Sequence, residues 1–418
     1  MNKDPLELLL DLFHAGVAAA DPANCMEPYW PEPGTGKVGV IACGKAARQM
    51  AMLAARHYGP ETPGIVIYPD IETEAGNTST AMQWYPAPHP VPGERSMAAA
   101  EAALAFASNL AEEDLLLVLL SGGGSSLMCL PADGITLSDK QDLGRQLLAC
   151  GATVSEINCV RKHISRVKGG RLANASKARV FTLAISDIPG DDASMVASGP
   201  TCESQTTLEQ AREIIKRYGI LPTQSIHAAL NDSANECPRF PPWPPRDIQI
   251  VSGGNTALTA AAALCEWQGI EPIVLGDSLQ GEARELGRRH ARYALEKASN
   301  SHPFCILSGG ETTVTVAANP GMGGRNSEYA LALAIGLDGH PGIWSLSADT
   351  DGIDGVGGHT GATTDPDTLY RAAKLGINPR KALENNDSAD FFDRVGGLLV
   401  EGPTGTNVND FRAILINP

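Results

Sequence analysis

The chain has 418 residues, of which 43% are hydrophobic and 19% charged, and its 48 Asp and Glu against 32 Lys and Arg give a net charge of −16. At roughly 150 residues per domain this length predicts two or three domains, and the apolar content excludes a disordered chain. The acidic balance argues against a nucleic-acid partner, because phosphates need basic surface, but leaves room for a local cationic cleft that takes a small anion.

In chain order, residues 5–20 read as an amphipathic helix with Leu6, Leu9, Leu10 and Phe13 on one face. Strands are predicted at 38–43, 64–68, 115–120 and 180–185, with helices at 46–58, 96–110, 138–150 and 155–175, the last interrupted near Gly169-Gly170. Leu115–Leu120 is apolar throughout, the pattern of a strand buried on both faces. Five prolines between Cys237 and Asp247 read as a linker, so a second domain is expected to begin near Ile248. It alternates again: strand 248–251, helix 255–268, strand 272–275, helix 281–299 and strand 304–307. Further strands are predicted at 312–316, 344–346 and 411–416, with a helix at 326–337; strand 411–416 could belong to either sheet. Strand–helix alternation of this kind predicts an α/β protein with a largely parallel sheet.

The nine scattered cysteines contain no C-x-x-C pair and read as reduced, buried thiols. Acidic residues interrupt the N-terminal apolar segment, which makes a poor signal peptide, and no apolar run approaches the roughly 20 residues of a membrane span. A soluble, cytoplasmic protein with no membrane partner is expected.

One local pattern occurs three times: a strand followed by Ser-Gly-Gly, at Ser121–Gly124, Ser252–Asn255 and Ser308–Glu311. Each should form a turn at the carboxyl end of a strand, where open α/β sheets place ligands. In Ser121-Gly122-Gly123-Gly124-Ser125-Ser126 the glycines let backbone N–H groups approach an anion and the serines add donors. It is neither a Walker A loop nor a nucleophile elbow. Gly44-Lys45 puts a cation at a strand-to-helix turn, where an anionic ligand would offset the unfavourable helix dipole; a solvated lysine is the plain alternative. This turn lacks the G-x-G-x-x-G of dinucleotide-binding folds.

Asp187, Asp191 and Asp192 follow a strand and suit Mg²⁺, or else form an Asx turn. Asp349, Asp351 and Asp354 form a second acidic loop that is not an EF-hand. Arg325, after Gly321–Gly324, could stabilise a transferring phosphoryl group or pair with a carboxylate. Arg161, Lys162, His163, Arg166, Lys168 and Arg171 read either as a solvated face or as an anion-attracting wall. Cations, glycine-rich cradles and carboxylate loops together are the parts of phosphoryl transfer.

These motifs resemble, in order and over nearly the whole chain, the glycerate 2-kinase family whose C-terminal part is the MOFRL domain. The matching segments are 44–47, 120–128, 160–172, 186–201, 308–313, 323–328, 349–355 and the run Gly402-Pro-Thr-Gly-Thr-Asn-Val-Asn-Asp410. The resemblance implies a larger Rossmann-like N-terminal domain (1–240) and a smaller α/β MOFRL domain (248–418, core about 303–411), with a cleft between them. It also implies ATP- and Mg²⁺-dependent phosphorylation of D-glycerate to 2-phosphoglycerate, with the key Lys at Lys45 and the key Arg at Arg325. On that reading Asp187 accepts the hydroxyl proton. Ser121–Ser126 and Ser308-Gly309-Gly310-Glu311 bind phosphate or the substrate carboxylate, and Asp187, Asp191 and Asp351 are the metal candidates. Glycerate and nucleotide are the partners, and a homodimer is compatible. Members of this family also carry the name hydroxypyruvate reductase, associated with tartrate metabolism. An NAD(P)H-dependent reductase and a non-catalytic sugar-acid binding module are the alternatives.

Overall fold

The computed structural model describes residues 3–70, 81–241, 246–299 and 302–417. Two compact units divide it: Cys25–Ser186 with Asp192–Val251, here the first unit, and Met1–Asn24 with Asp187–Asp191 and Ser252–Pro418, the second.

The first unit is built on strands β1 (Val38–Cys43), β2 (Gly64–Pro69), β3 (Met82–Ala87), β4 (Leu115–Leu120), β5 (Arg179–Ile185) and β6 (Arg246–Ser252). They lie in the order β3-β2-β1-β4-β5-β6. The pairs β1/β2, β1/β4, β2/β3 and β4/β5 are all parallel. This is the doubly wound order, in which chain direction reverses between β1 and β4. Every residue of β1, β2 and β4 is buried. Each fully buried leucine of β4 contributes about 1.5–3 kcal/mol relative to an exposed one. Helices Leu137–Ala149, Val154–His163 and Leu208–Arg217 each begin with a threonine capping box, at Thr136, Thr153 and Thr207. Together with Gln224–Asn231 they enclose their own core around Leu143, Leu147, Val160 and Ile214.

The second unit holds β7 (Glu271–Val274), β8 (Leu279–Glu282), β9 (Phe304–Thr313), β10 (Ile343–Asp349), β11 (Gly361–Thr364), β12 (Leu398–Leu399) and β13 (Asp410–Ile416). The order is β12-β11-β10-β13-β9-β7, with β8 also beside β9. Pairs from β12 to β9 are antiparallel, whereas β7 and β8 run parallel to β9. The helix Pro5–Ala19, capped by Asp4, buries Leu8, Leu9, Leu12 and Phe13 against Leu307, Phe411 and Leu415 of this sheet and Leu258 of the helix Gly254–Trp267.

Several expectations change here. The strand expected to open a second domain at 248–251 is β6, the sixth strand of the first sheet, so the expected boundary falls inside it. The expected linker lies in part outside the described residues (242–245). Strand 411–416 is the central β13 of the second sheet rather than a return to the first. Ser308-Gly309-Gly310 is not a turn: β9 runs unbroken through it, and no strand continues to 316. Its glycines face Phe411 and Asp410 of β13, and β8 presses so closely that a Cβ on Gly310 (φ +108°) would lie 2.2 Å from the Leu279 carbonyl oxygen. β3 was not expected; Pro86 and mixed polarity hide this edge strand. The nine cysteines are thiols, seven of them buried. Among the described residues, no helix is long and apolar enough to cross a membrane.

Candidate active site

In the first unit, the topological switch brings the turn after β1 and the loop after β4 together. The Lys45 amide donates to the Gly122 carbonyl (2.9 Å), and the Ala46 amide donates to Ser121 Oγ (2.9 Å). Gly44 (φ +133°) permits this approach, since a Cβ there would lie 2.2 Å from Ser121 Oγ. Gly123 is left-handed (φ 82°), and its missing Cβ leaves room for the His89 ring (3.0 Å) and the Lys45 Cγ (3.6 Å). The amides of Gly124, Ser126 and Leu127 bond within the loop. Those of Gly122, Gly123 and Ser125 find no acceptor among the described residues. The loop is therefore a backbone N–H concavity of the kind that receives anionic oxygens.

The basic run after it is not a solvated face. Lys162, His163 and Lys168 are 3%, 0% and 2% exposed. Arg171 donates to the carbonyls of Lys162, Lys168, Asn235 and Glu236. His163 bridges the Cys159 carbonyl (2.8 Å) and Glu236 (3.1 Å). Lys168 Nζ donates to the Ser125 carbonyl (2.6 Å), to Ser125 Oγ (3.2 Å) and to the Met128 carbonyl (3.4 Å). Ser125 Oγ lies 2.9 Å from Ser198 Oγ, which donates to Asn158 Oδ1 (2.8 Å). The Ser198 hydrogen is thereby committed to Asn158. Ser125 must donate to Ser198 while it accepts from a charged Lys168, so its hydroxyl is not a spare donor for a ligand. Ala197 (φ 50°) and Ser198 (φ 63°) are both left-handed, a strain of the sort that collects at functional sites.

The second unit centres on Arg325, the first residue of helix Arg325–Leu337. Its Nε meets Asp410 (2.6 Å), Nη2 meets Asp349 (2.6 Å) and Nη1 meets Glu311 (3.1 Å). Burial alone would lower its pKa, but Asp410, Asp349 and Glu311 hold it well above the ordinary range. Burial would likewise raise Asp410, yet Arg412 and Arg325 on either side keep its carboxyl low. Asp354 caps the helix through the amides of Asn326 and Ser327, both at 2.9 Å. Three of the five guanidinium N–H groups of Arg325 are thus engaged by carboxylates, and two remain for a ligand. Ser308-Gly309-Gly310 and Glu311 lie along β9 beside this cluster, with Glu311 on Arg325 itself.

Asp187 and Asp191 belong to the second unit, as does Asp351. The Asp187 carbonyl accepts from the side-chain amide of Asn409. Asp351 is 8% exposed and accepts from the Ile353 amide (2.8 Å). The left-handed Asp191 (φ 56°) lays its carboxylate over Gly253, where a Cβ would sit 2.2 Å from Oδ1; Asp277 does the same at Gly254, 2.9 Å from its Cβ. Both face the start of the helix Gly254–Trp267, whose dipole favours negative charge. Among the described residues, no group of three or more His, Cys, Asp or Glu is placed to hold a metal ion. The expected trio is therefore not a preassembled site. Sequence reasoning missed Asn158, Asp277 and the role of Asp410, although Asp410 ends the 402–410 motif; it held Lys168 only as one of the basic run and Ser198 only within the segment 186–201.

Comparison with known proteins gives two family matches: "Domain of unknown function (DUF4147)" over residues 8–232 and "MOFRL family" over residues 304–410. A protein of Agrobacterium vitis, provisionally named a hydroxypyruvate reductase, is 45% identical over 98% of this chain and 94% of its own length. The D-glycerate 2-kinase of Thermotoga maritima is 36% identical over 98% of each chain. The crystal structure of glycerate kinase from Thermotoga maritima superposes with a TM-score of 0.87 at 36% identity, covering 98% of this chain and 99% of that one.

Proposed function

Since the chain belongs to the glycerate kinase family that pairs a DUF4147 domain with a MOFRL domain, we propose that it transfers the γ-phosphoryl group of ATP to the 2-hydroxyl of D-glycerate. The carrying observation is the N–H concavity at the β1/β4 switch, lined by Lys45, in a chain that matches the Thermotoga maritima kinase over 98% of each.

Phosphoryl transfer asks a protein mainly to position reactants and stabilise charge. The amides of Gly122, Gly123 and Ser125 bind anionic oxygens, and Lys45 supplies positive charge at the same loop. Arg325 offers its two remaining N–H groups to the transferring phosphoryl oxygens, its plane fixed by Asp410, Asp349 and Glu311. Asp187 accepts the proton of the attacking hydroxyl. Mg²⁺ arriving with its nucleotide would be held by one or two carboxylates beside phosphate oxygens, and Asp191 is the first candidate to supply one. When bound it neutralises charge on the phosphate oxygens. Asp351 is a second candidate ligand.

The test uses one preparation in two assays. D-glycerate with ATP and Mg²⁺ is expected to give 2-phosphoglycerate by phosphorus NMR, while hydroxypyruvate leaves NADH and NADPH unoxidised. Nicotinamide oxidation with ATP untouched would transfer the protein to the reductase reading that the Agrobacterium relative's name carries. The absence of G-x-G-x-x-G at the switch speaks against that outcome.

A further inference from the structure

Lys168 is a lysine in the interior of a strongly acidic protein, yet it has no carboxylate partner among the described residues. Its three hydrogen-bond acceptors, the Ser125 carbonyl, Ser125 Oγ and the Met128 carbonyl, all belong to the loop whose amides form the N–H concavity. An ammonium has three N–H donors, and here they match three oxygens. We propose that Lys168 is a positioning residue for this loop: it holds Ser125 and Met128 from behind and places an uncompensated positive charge beneath the amides of Gly122, Gly123 and Ser125, so that binding of an anionic oxygen group and protonation of Lys168 promote each other. The proposal rests on the reading of this loop as the anion-binding part of a glycerate kinase.

The groups facing the amine are Cys129, Lys140, Arg161 and Cys43. Burial pushes Lys168 down to about 7, and the positive charges of Lys140 and Arg161 add to it; Cys43, its thiol pushed up to about 12, is uncharged at that pH. Below pH 7 the ammonium satisfies all three oxygens, and Ser125 donates to Ser198. Above pH 7 a neutral amine keeps two donors and one lone pair. Ser125 Oγ then turns its hydrogen to the amine, and Ser198 loses its donor. Deprotonation therefore removes the charge and rewires Ser125 in one event. An anion seated on the loop raises the Lys168 pKa, and the complex takes up a proton from solution.

The carboxylate of the sugar acid and a phosphate of the nucleotide share this chemistry. Two probes without a titrating proton near neutrality distinguish them: D-glycerate and sulfate. Each is titrated into the full chain by calorimetry at pH 7, in buffers of different ionisation enthalpy, which reads proton uptake directly. About half a proton per bound ligand is expected for the probe that occupies the loop, and which probe shows it assigns the loop to carboxylate or to phosphate. The KM for the matching substrate should rise about tenfold from pH 6 to pH 8.5, the effect of one nearby charge. Lys168→Arg should keep the affinity and lose both the pH dependence and the uptake. Lys168→Met should bind about tenfold more weakly than wild type at pH 6 and about as well as wild type at pH 8.5, again without uptake. Wild-type protein that shows proton uptake with neither probe overturns the proposal, as does Lys168→Met with unchanged uptake. If wild type fails to phosphorylate glycerate, the kinase reading falls separately, while the titrations still decide the role of Lys168.

Discussion

Among the described residues of the second unit Arg325 makes the densest set of ion pairs, meeting three carboxylates at once. Removing it has two effects with separable readouts. Arg325→Ala should lower kcat by on the order of 10³-fold through lost charge stabilisation. It should also leave Asp410 with Arg412 as its one ion-pair partner among the described residues and take the guanidinium from the buried Asp349, which costs stability because a buried charge that loses its partner is expensive. Arg325→Lys retains one charge but cannot span three carboxylates, so it should recover most of the stability and little of the rate. Steady-state kinetics beside thermal unfolding checks this, and an Arg325→Ala enzyme with near-wild-type kcat would remove the residue from the chemistry. At this scale the sequence was a poor guide to environment. Lys162, Lys168 and Arg171 read either as a solvated face or as an anion-attracting wall, and neither reading foresaw that they are largely buried against backbone oxygens. Nothing local shows that the Ser125 carbonyl, 43 positions away, would meet Lys168. Ser125 was legible as a loop residue but not as a hydroxyl whose hydrogen is already committed.

At the scale of elements, legibility followed the range of the interaction. β1 and β4 could be read to within a residue because a parallel strand buried on both faces must be apolar at every position. The starts of two capped helices were read to within a residue, where Thr-x-x-Asp and Thr-x-x-Glu mark them, whereas the third, Leu208–Arg217 behind Thr-x-x-Gln, was not expected. The third Ser-Gly-Gly failed for the converse reason: its glycines serve a strand that β8 and β13 crowd from both sides, and neither neighbour is near in sequence. The N-terminal helix was legible as amphipathic, but its destination was not. Phe13, 1% exposed, packs edge-on to Phe411 with ring centroids 5.9 Å apart. Phe13→Ala should destabilise the second unit by about 3–5 kcal/mol, as for other large-to-small core changes. Urea unfolding followed by near-ultraviolet dichroism measures this, and a change under about 1 kcal/mol would mean that the helix is not integral to that core.

For the whole molecule, the order of segments matters more than any single contact. The second unit draws Met1–Asn24, Asp187–Asp191 and Ser252–Pro418 from around the first. A fragment Ser252–Pro418 lacks the helix that covers Leu258, Leu307, Phe411 and Leu415, so it should expose that apolar layer, bind a hydrophobic dye and lack cooperative unfolding. The full chain should do none of these, and a cooperatively folding, dye-silent fragment would show the helix to be dispensable.

That same segment order sets a timetable during synthesis. The helix Pro5–Ala19 leaves the ribosome early, whereas its partner strand β13 is completed only near residue 416. At usual translation rates the interval is about 20–80 s. Until helix Gly254–Trp267 is made Leu8, Leu9, Leu12 and Phe13 have none of their native surface, and until β13 is made they lack part of it, so the yield of folded protein in a cell depends on what shelters that nascent apolar stripe.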